Sequence, residues 1–307
     1  MADARVPVLL GPTAVGKTAV ALALGAFWPL DVISADSRQV YRRLDIGTAK
    51  PTKKERAKVR HHGLDVVEPG VRYSAGHFAR DATGWLAEVR AAGRMPVVVG
   101  GTGLYVRALA EGLFREPTLD PARRRRLDAW TARLEPLELV RWAGRLDADF
   151  RGGGRQRAAR AIEVALLTGA PLSHWQRAAR ESGTIEPWYI VLTVPRAVLH
   201  ARIARRAEEM IQRGLIEEVA SVLADGHQAG TAGLDGIGIR EAVEFLHGQR
   251  ERGTVAEAIA TSTRQYAKRQ QTWFRHQLAG PVLTLDATRS PERLATEIAE
   301  AWQRTRG

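Results

Sequence analysis

The chain contains no cysteine. That absence excludes disulfides, thiolate catalysis and a cysteine-based zinc module together, so any metal must be held by oxygen or nitrogen. Long hydrophobic runs are missing as well. No apolar stretch approaches the length needed to span a bilayer, and the N-terminal Met-Ala-Asp-Ala-Arg leads straight into a strand rather than a signal peptide, so a cytoplasmic protein with no membrane partner is expected. Acidic residues are the third shortage. Lys and Arg number 46 against 34 Asp and Glu, a formal net charge of +12 spread over several basic clusters. Such a field favours polyanions, with nucleic acid first among them, although a basic composition also serves solubility alone.

What is there is the balance of a globular protein: 307 residues, 45% hydrophobic and 26% charged. This length suggests two domains, or one large α/β core carrying an insertion. Over the first hundred residues short apolar runs alternate with amphipathic stretches, the pattern of parallel βαβ units. Strands are expected at Val6 to Leu10, Leu30 to Ala35, His62 to Val67 and Met95 to Val99. A helix is expected from Lys17 to Phe27, and another after Ser74 as N-cap, with Gly93 beyond its end. From about Phe114 to Ser182 strand signals vanish and the text becomes arginine-rich and helical. Trp188 to Val194 restores a strand, followed by helices over 196 to 223 and 239 to 247. Thr254 and Glu257 form a capping-box pattern opening a long helix to about His276; Val282 to Leu285 reads as a last strand, and a closing helix starts near Pro291. The expected architecture is therefore an α/β core with a parallel sheet, residues 1–115 and 183–307, interrupted by a mostly helical insertion over 116–182.

Gly11-Pro12-Thr13-Ala14-Val15-Gly16-Lys17-Thr18 fits GxxxxGK[ST] and lies between an apolar strand and a helix, the setting that turns a loose pattern into a specific one. Glycines let the backbone wrap so that successive N–H groups and the helix N-terminus point at phosphate oxygens; Lys17 adds a charge, and the Thr18 hydroxyl reaches a magnesium ion. A phosphate loop does not name the reaction. A nucleoside-triphosphate hydrolase or a small-molecule kinase needs a magnesium-linked carboxylate on a neighbouring strand, whereas Met95 to Val99 runs into Gly100-Gly101-Thr102-Gly103. The strand-end carboxylate in the right region is Asp36, near the phosphate site because ligands of open α/β sheets sit at the carboxyl ends of strands. Asp is also a favoured helix N-cap, and both readings stand at this point.

With these stretches in hand the chain resembles the tRNA dimethylallyltransferases, the isopentenyl transferases that modify the adenosine next to the anticodon. The resemblance is carried by Gly11 to Thr18, Asp36-Ser37-Arg38-Gln39-Val40-Tyr41, Asp45-Ile46-Gly47-Thr48-Ala49-Lys50-Pro51, Val99 to Tyr105, Gln156-Arg157-Ala158-Ala159-Arg160 and Thr263-Arg264-Gln265-Tyr266-Ala267-Lys268-Arg269-Gln270. It implies a P-loop NTPase-like core and transfer of a dimethylallyl group from dimethylallyl diphosphate to the N6 of adenosine 37 in tRNA, releasing diphosphate. It further implies Asp36 as the base that takes the amine proton. Gly11, Pro12, Thr13, Ala14, Val15, Gly16, Lys17 and Thr18 would cradle the diphosphate, with Mg2+ on Thr18. Thr102 would orient the amino group or bond a bridging oxygen; alternatively it closes a Gly-rich turn. The RNA contacts implied are Asp36, Ser37, Arg38, Gln39, Thr102, Arg124, Gln156, Arg157 and Arg160, reaching the anticodon stem-loop around a flipped adenine.

Helical wheels refine this. Over 155–169 an apolar stripe of Ala158, Ile162, Ala165 and Leu166 lies opposite Arg157 and Arg160, and Arg123 to Arg126 offers a second cluster for phosphates. On the long helix Val255, Ile259, Ser262, Tyr266 and Trp273 share one face; Arg264, Lys268 and Arg275 point away, while Arg269 and Gln270 fall beside the stripe. A buried-side arginine needs an anionic partner, which makes Arg269 the candidate for the diphosphate or its supporting shell. Two departures stand out: Gly152-Gly153-Gly154 where relatives commonly carry Asn-Asp ahead of the Gln-Arg motif, and Gly238-Ile239 where they usually have Gly-Tyr. No C-terminal zinc finger follows, in keeping with a bacterial-type enzyme, and a monomer is expected. Three rival functions remain: a prenyltransferase acting on free adenine nucleotides, a nucleotide kinase, and a non-catalytic RNA-binding protein.

Overall fold

The computed structural model describes residues 5–113, 119–178 and 182–305. The chain divides into two compact units, one formed by Met1–Ala110 with Thr184–Gly307 and the other by Glu111–Gly183. The expected boundary at 115/116 lies outside the described residues.

The larger unit is built on six strands: β1 (Arg5–Leu10), β2 (Leu30–Ala35), β3 (His61–His62), β4 (Met95–Gly100), β5 (Glu186–Thr193) and β6 (Val282–Asp286). All pair in parallel, in the order β3-β2-β4-β1-β5-β6. Strands β1, β2 and β4 are rich in buried Val, Leu and Ile, as fits a parallel sheet covered by helices on both faces. Val8, Leu9 and Leu10 on β1, Ile33 on β2, and Val97 and Val98 on β4 have no exposed surface. Helices α1 (Lys17–Leu24), α2 (Lys53–Lys58), α3 (Ala75–Ala91) and α4 (Gly103–Glu111) belong to the first half. Ser74 caps α3 by accepting the His77 N–H, and Gly93 follows with φ 67°.

Helix α1 and strand β3 are shorter than expected. Helix α1 stops at Leu24 rather than Phe27, because the N–H groups of Gly25, Ala26 and Phe27 turn back to carbonyls only three residues earlier. The strand expected over His62–Val67 contracts to His61–His62, with a lone bridge between Tyr41 and Val67. Asp65 sits at φ 56° instead and delivers its carboxylate to Lys50 and Arg56.

The second unit is helical throughout its described residues: α5 (Pro121–Arg133), α6 (Pro136–Leu146), α7 (Arg155–Thr168) and α8 (Leu172–Ala178). Its core is Leu139, Ala143, Ala158, Ala161 and Ile162. Returning to the larger unit, α9 (Arg196–Gln212), α10 (Leu215–Ala224), α11 (Ile239–Leu246), α12 (Val255–Gln277) and α13 (Pro291–Arg304) complete the chain. The helical stretch expected over 196–223 is broken in two at Gly214, whose φ of 96° an L side chain rarely adopts. The capping box at Thr254 does not form. Thr254 instead ends a short 3-10 turn, its hydroxyl bonded to the Glu251 carbonyl, while Glu257 accepts from Thr261 and Arg264. No described helix is long and apolar enough to cross a membrane.

Candidate active site

The carboxyl ends of β1, β2 and β4 carry three loops that meet: Gly11–Gly16, Asp36–Gln39 and Gly101–Thr102. Gly11 has φ 153°, and a Cβ there would come within 2.8 Å of the Leu192 carbonyl and 2.9 Å of Val15, so only glycine lets the chain turn so close to β5. Ala14 and Gly16 also take positive φ, at 64° and 108°, aiming amides inward. The N–H groups of Ala14, Gly16, Lys17 and Thr18 make no hydrogen bond among the described residues. Thr13 departs from expectation, since its N–H is donated to Gln270 Oε1 at 2.9 Å. Pro12 has no N–H to offer. The anion-facing donors are therefore concentrated in the second half of the loop.

Lys17 Nζ donates to the Gly11 and Pro12 carbonyls, both at 2.9 Å. An ammonium has three donors, so one remains for a ligand. Burial lowers the Lys17 pKa to about 8; Asp36 opposes the shift and Arg206 reinforces it. Arg206, on α9, is held below its ordinary value by burial, with Asp36 and Glu209 opposing. Four residues earlier on the same face, Arg202 donates to the Val15 and Ala287 carbonyls, each at 3.0 Å, tying the phosphate loop to the end of β6. Arg202 and Arg206 escaped the sequence reading, although their spacing on a helical stretch was a usable signal.

Asp36 heads no helix. Its Oδ1 accepts the Arg38 N–H at 2.9 Å in a tight turn, which removes the N-cap reading and keeps the side chain at the strand end. Thr102 does more than close a turn. Its N–H donates to the Ala35 carbonyl, and its Oγ1 accepts the Ser37 N–H at 3.0 Å, joining the β2 and β4 loops. Tyr266 of α12 also hydrogen-bonds Thr102, its hydroxyl pushed up to about 12 by burial and then by Asp36. Gln39 bonds Ser34 and the Ala49 carbonyl, and Arg38 pairs with Asp235 and the Ala232 carbonyl. Behind Lys17, Thr18 and Asp36 lies a cavity of about 40 Å³ whose wall includes Ala21, Val32 and Val99.

Beneath the site the Asp45–Pro51 block is structural. The Lys50 side chain has no exposed surface, and its Nζ donates to the Tyr41 carbonyl, Asp45 and Asp65 at 2.6–2.7 Å. Glu218 accepts the N–H groups of Asp45, Ile46 and Gly47. Ile239, the departure noted in the sequence, is fully buried and packs so tightly on Gly47 that a Cβ there would lie 2.7 Å from it. It is a core residue.

The placement of Arg269 beside the buried stripe of α12 is corrected. The residue is exposed, its guanidinium 5.8 Å from the Tyr266 ring centre, and the buried residue at this end of α12 is Gln270. Ala267 and Phe274 share that buried side, which rotates the inward face past Arg269. In the helical unit Gln156 and Arg157 are exposed, as expected, but Leu166 is 42% exposed and lies off the buried stripe. Arg124 and Arg160 converge instead on the buried carboxylate of Glu163. Arg123 and Arg126 flank Leu127, Trp130 and Leu166 around an open surface pocket of about 280 Å³.

Comparisons with known proteins point to one family. A family model described as IPP transferase matches residues 39–277, and one described as isopentenyl transferase matches residues 4–71. The tRNA dimethylallyltransferase of Bordetella petrii is 40% identical over 306 residues, covering 97% of this chain and 98% of its own. That of Bordetella pertussis is 43% identical over 279 residues, 88% and 89% of the two chains. Among solved structures, the full-length tRNA isopentenylpyrophosphate transferase of Bacillus halodurans superposes with TM-score 0.71 at 31% identity, over 98% of this chain and 96% of that one. A eukaryotic dimethylallyltransferase acting on tRNA shares the fold, with TM-score 0.73 at 24% identity over 92% and 74% of the chains.

Proposed function

Because the chain belongs to the IPP transferase family, we propose that it transfers a dimethylallyl group from dimethylallyl diphosphate to the N6 of adenosine 37 in the anticodon stem-loop of tRNA. The observation that carries the reading is the meeting of a phosphate loop with Asp36 and Thr102 at one end of the sheet. The adenine amine is a weak nucleophile because its lone pair is delocalised into the ring. As that pair bonds to C1 of the dimethylallyl group, the C1–O bond breaks, diphosphate leaves with the bonding electrons, and the amine proton passes to Asp36. Lys17, Arg206 and the free amides of Ala14, Gly16, Lys17 and Thr18 face the charge that grows on the leaving diphosphate. Thr102 holds the amine toward Asp36, its hydroxyl aligned by Ser37 and Tyr266.

The described residues contain no cluster of three or more His, Asp or Glu able to hold a metal unaided. A hard-oxygen site built from the Thr18 hydroxyl and the diphosphate itself fits magnesium, which keeps several waters and takes few protein ligands. Bound there, Mg2+ would screen the charge of the leaving diphosphate.

For the RNA, the exposed Gln156 and Arg157 with Arg123 and Arg126 supply phosphate and base contacts, and Arg124 and Arg160 reach it from the Glu163 cluster. The test is incubation of purified protein with unmodified tRNA, dimethylallyl diphosphate and Mg2+, followed by mass spectrometry of the nucleosides. An adenosine heavier by one dimethylallyl group is expected; unchanged adenosine overturns the reading. Asp36→Ala should abolish transfer while tRNA still shifts in a gel, which separates an enzyme from a protein that only binds RNA.

A further inference from the structure

Gln270 is 6% exposed, and both ends of its amide are bonded: Oε1 accepts the Thr13 N–H, and Nε2 donates to the Gly101 carbonyl, both at 2.9 Å. The fit is close on the second side, where a Cβ on Gly101 would stand 2.2 Å from Nε2. One side chain from α12 therefore bridges the phosphate loop after β1 to the Thr102 loop after β4.

We infer that Gln270 is a positioning residue for the transfer: it sets the distance and orientation between the diphosphate cradle and the loop that presents the amine. The inference rests on the reading of those two loops given above. β1 and β4 are already neighbours in the sheet, but their register fixes the loops only at the strand ends. The paired register ends at Leu10 and Gly100, and the Gln270 amide joins the two loops beyond it. A primary amide suits the place because one end must donate and the other accept. No isosteric apolar side chain meets both needs, and a carboxylate meets only one. Gln270 touches neither reactant in this arrangement. Its effect belongs in kcat, since both substrates would still bind their own loops but meet out of line.

Three variants test it. Gln270→Leu keeps the volume and removes both bonds; the expected result is a fall in kcat of about 10- to 100-fold with each KM within about threefold, the scale of a misalignment near 1 Å. Gln270→Glu keeps the acceptor for Thr13 but sets a carboxylate against the Gly101 carbonyl. Protonation restores the donor, so its kcat relative to wild type should climb as pH falls, a profile that loss of packing would not produce. Gly101→Ala pushes the amide from the other side and should reproduce the Gln270→Leu defect, and the double variant should be no worse than either alone. Thermal melting of each variant shows that the folded protein is being assayed. A Gln270→Leu kcat within about twofold of wild type, a Gln270→Glu ratio independent of pH, or additive losses in the double variant would each overturn the inference. Failure of the wild-type protein to prenylate tRNA is a separate result: it removes the parent reading and this inference with it.

Discussion

Lys17 shows how one residue converts burial into chemistry. Its ammonium is displaced to about 8 because it sits in a dry loop, and only the Asp36 carboxylate pulls the other way. In the free enzyme it is charged below that pH and neutral above it. A diphosphate stabilises the charged form, so kcat/KM for the prenyl donor should decline as pH rises through about 8, while kcat, which reports the loaded enzyme, holds to higher pH. Lys17→Arg should remove the alkaline limb, because a guanidinium stays charged across that range. The P-loop lysine was legible in the sequence because the motif is local. Gln270 was visible as a letter but not as a bridge, since its partner Thr13 is 257 residues away and no periodicity reports such a contact. Arg269 shows the opposite failure. A wheel drawn on an ideal helix placed it beside the core, and a modest rotation of the true buried face gave that position to Gln270.

At the scale of elements, the block from Tyr41 to Asp65 behaves as one unit clamped by Lys50. The Asp65 carboxyl feels burial pushing its pKa up, but hydrogen bonds and charge from Lys50 and Arg56 outweigh that and hold it below the usual carboxylate range. Lys50→Met should destabilise the protein by about 1–3 kcal/mol, because it leaves the Tyr41 carbonyl without its donor and leaves Asp65 with Arg56 alone. Chemical denaturation read by the shift of midpoint checks the value. The Asp65 turn also explains why the third strand was overestimated: Val66 and Val67 are β-formers by composition, but the positive φ at Asp65 and its pull toward Lys50 end the pairing after His62. Strands β1, β2 and β4 were readable because a fully buried parallel strand is a continuous apolar run whose ends are marked by turns. The Thr254–Glu257 pattern misled because Glu257 is taken by Arg264, two turns further along the helix.

The whole molecule carries its +12 charge unevenly: Arg38, Arg202 and Arg206 work inside the larger unit, whereas Arg123, Arg125, Arg126 and Arg157 are exposed in the helical one. Binding of tRNA should therefore weaken steeply with salt. If six or more phosphates are contacted, the association constant is expected to fall about 10³-fold between roughly 50 and 200 mM salt. Charge reversal at Arg123 and Arg126 should flatten that slope while leaving the donor KM unchanged; filter binding across a salt series measures it. Neither unit's arginine pairing was readable from composition, since Glu163 looks like an ordinary helix-surface glutamate until α5 is folded against α7.

The sheet order also governs how the protein is made. Strand β1, which ends in the phosphate loop, lies between β4 and β5, and Arg5 is separated from its β5 neighbour Glu186 by 181 residues, the whole helical unit among them. At ribosomal speeds of about 5–20 residues per second, β1 waits roughly 10–35 s after its own synthesis before that neighbour exists. During the interval one edge of a strand that is apolar from Val6 to Leu10 is bare. A chain halted in the helical unit thus carries an open pairing template, so the nascent protein should depend on chaperones until β5 closes the sheet.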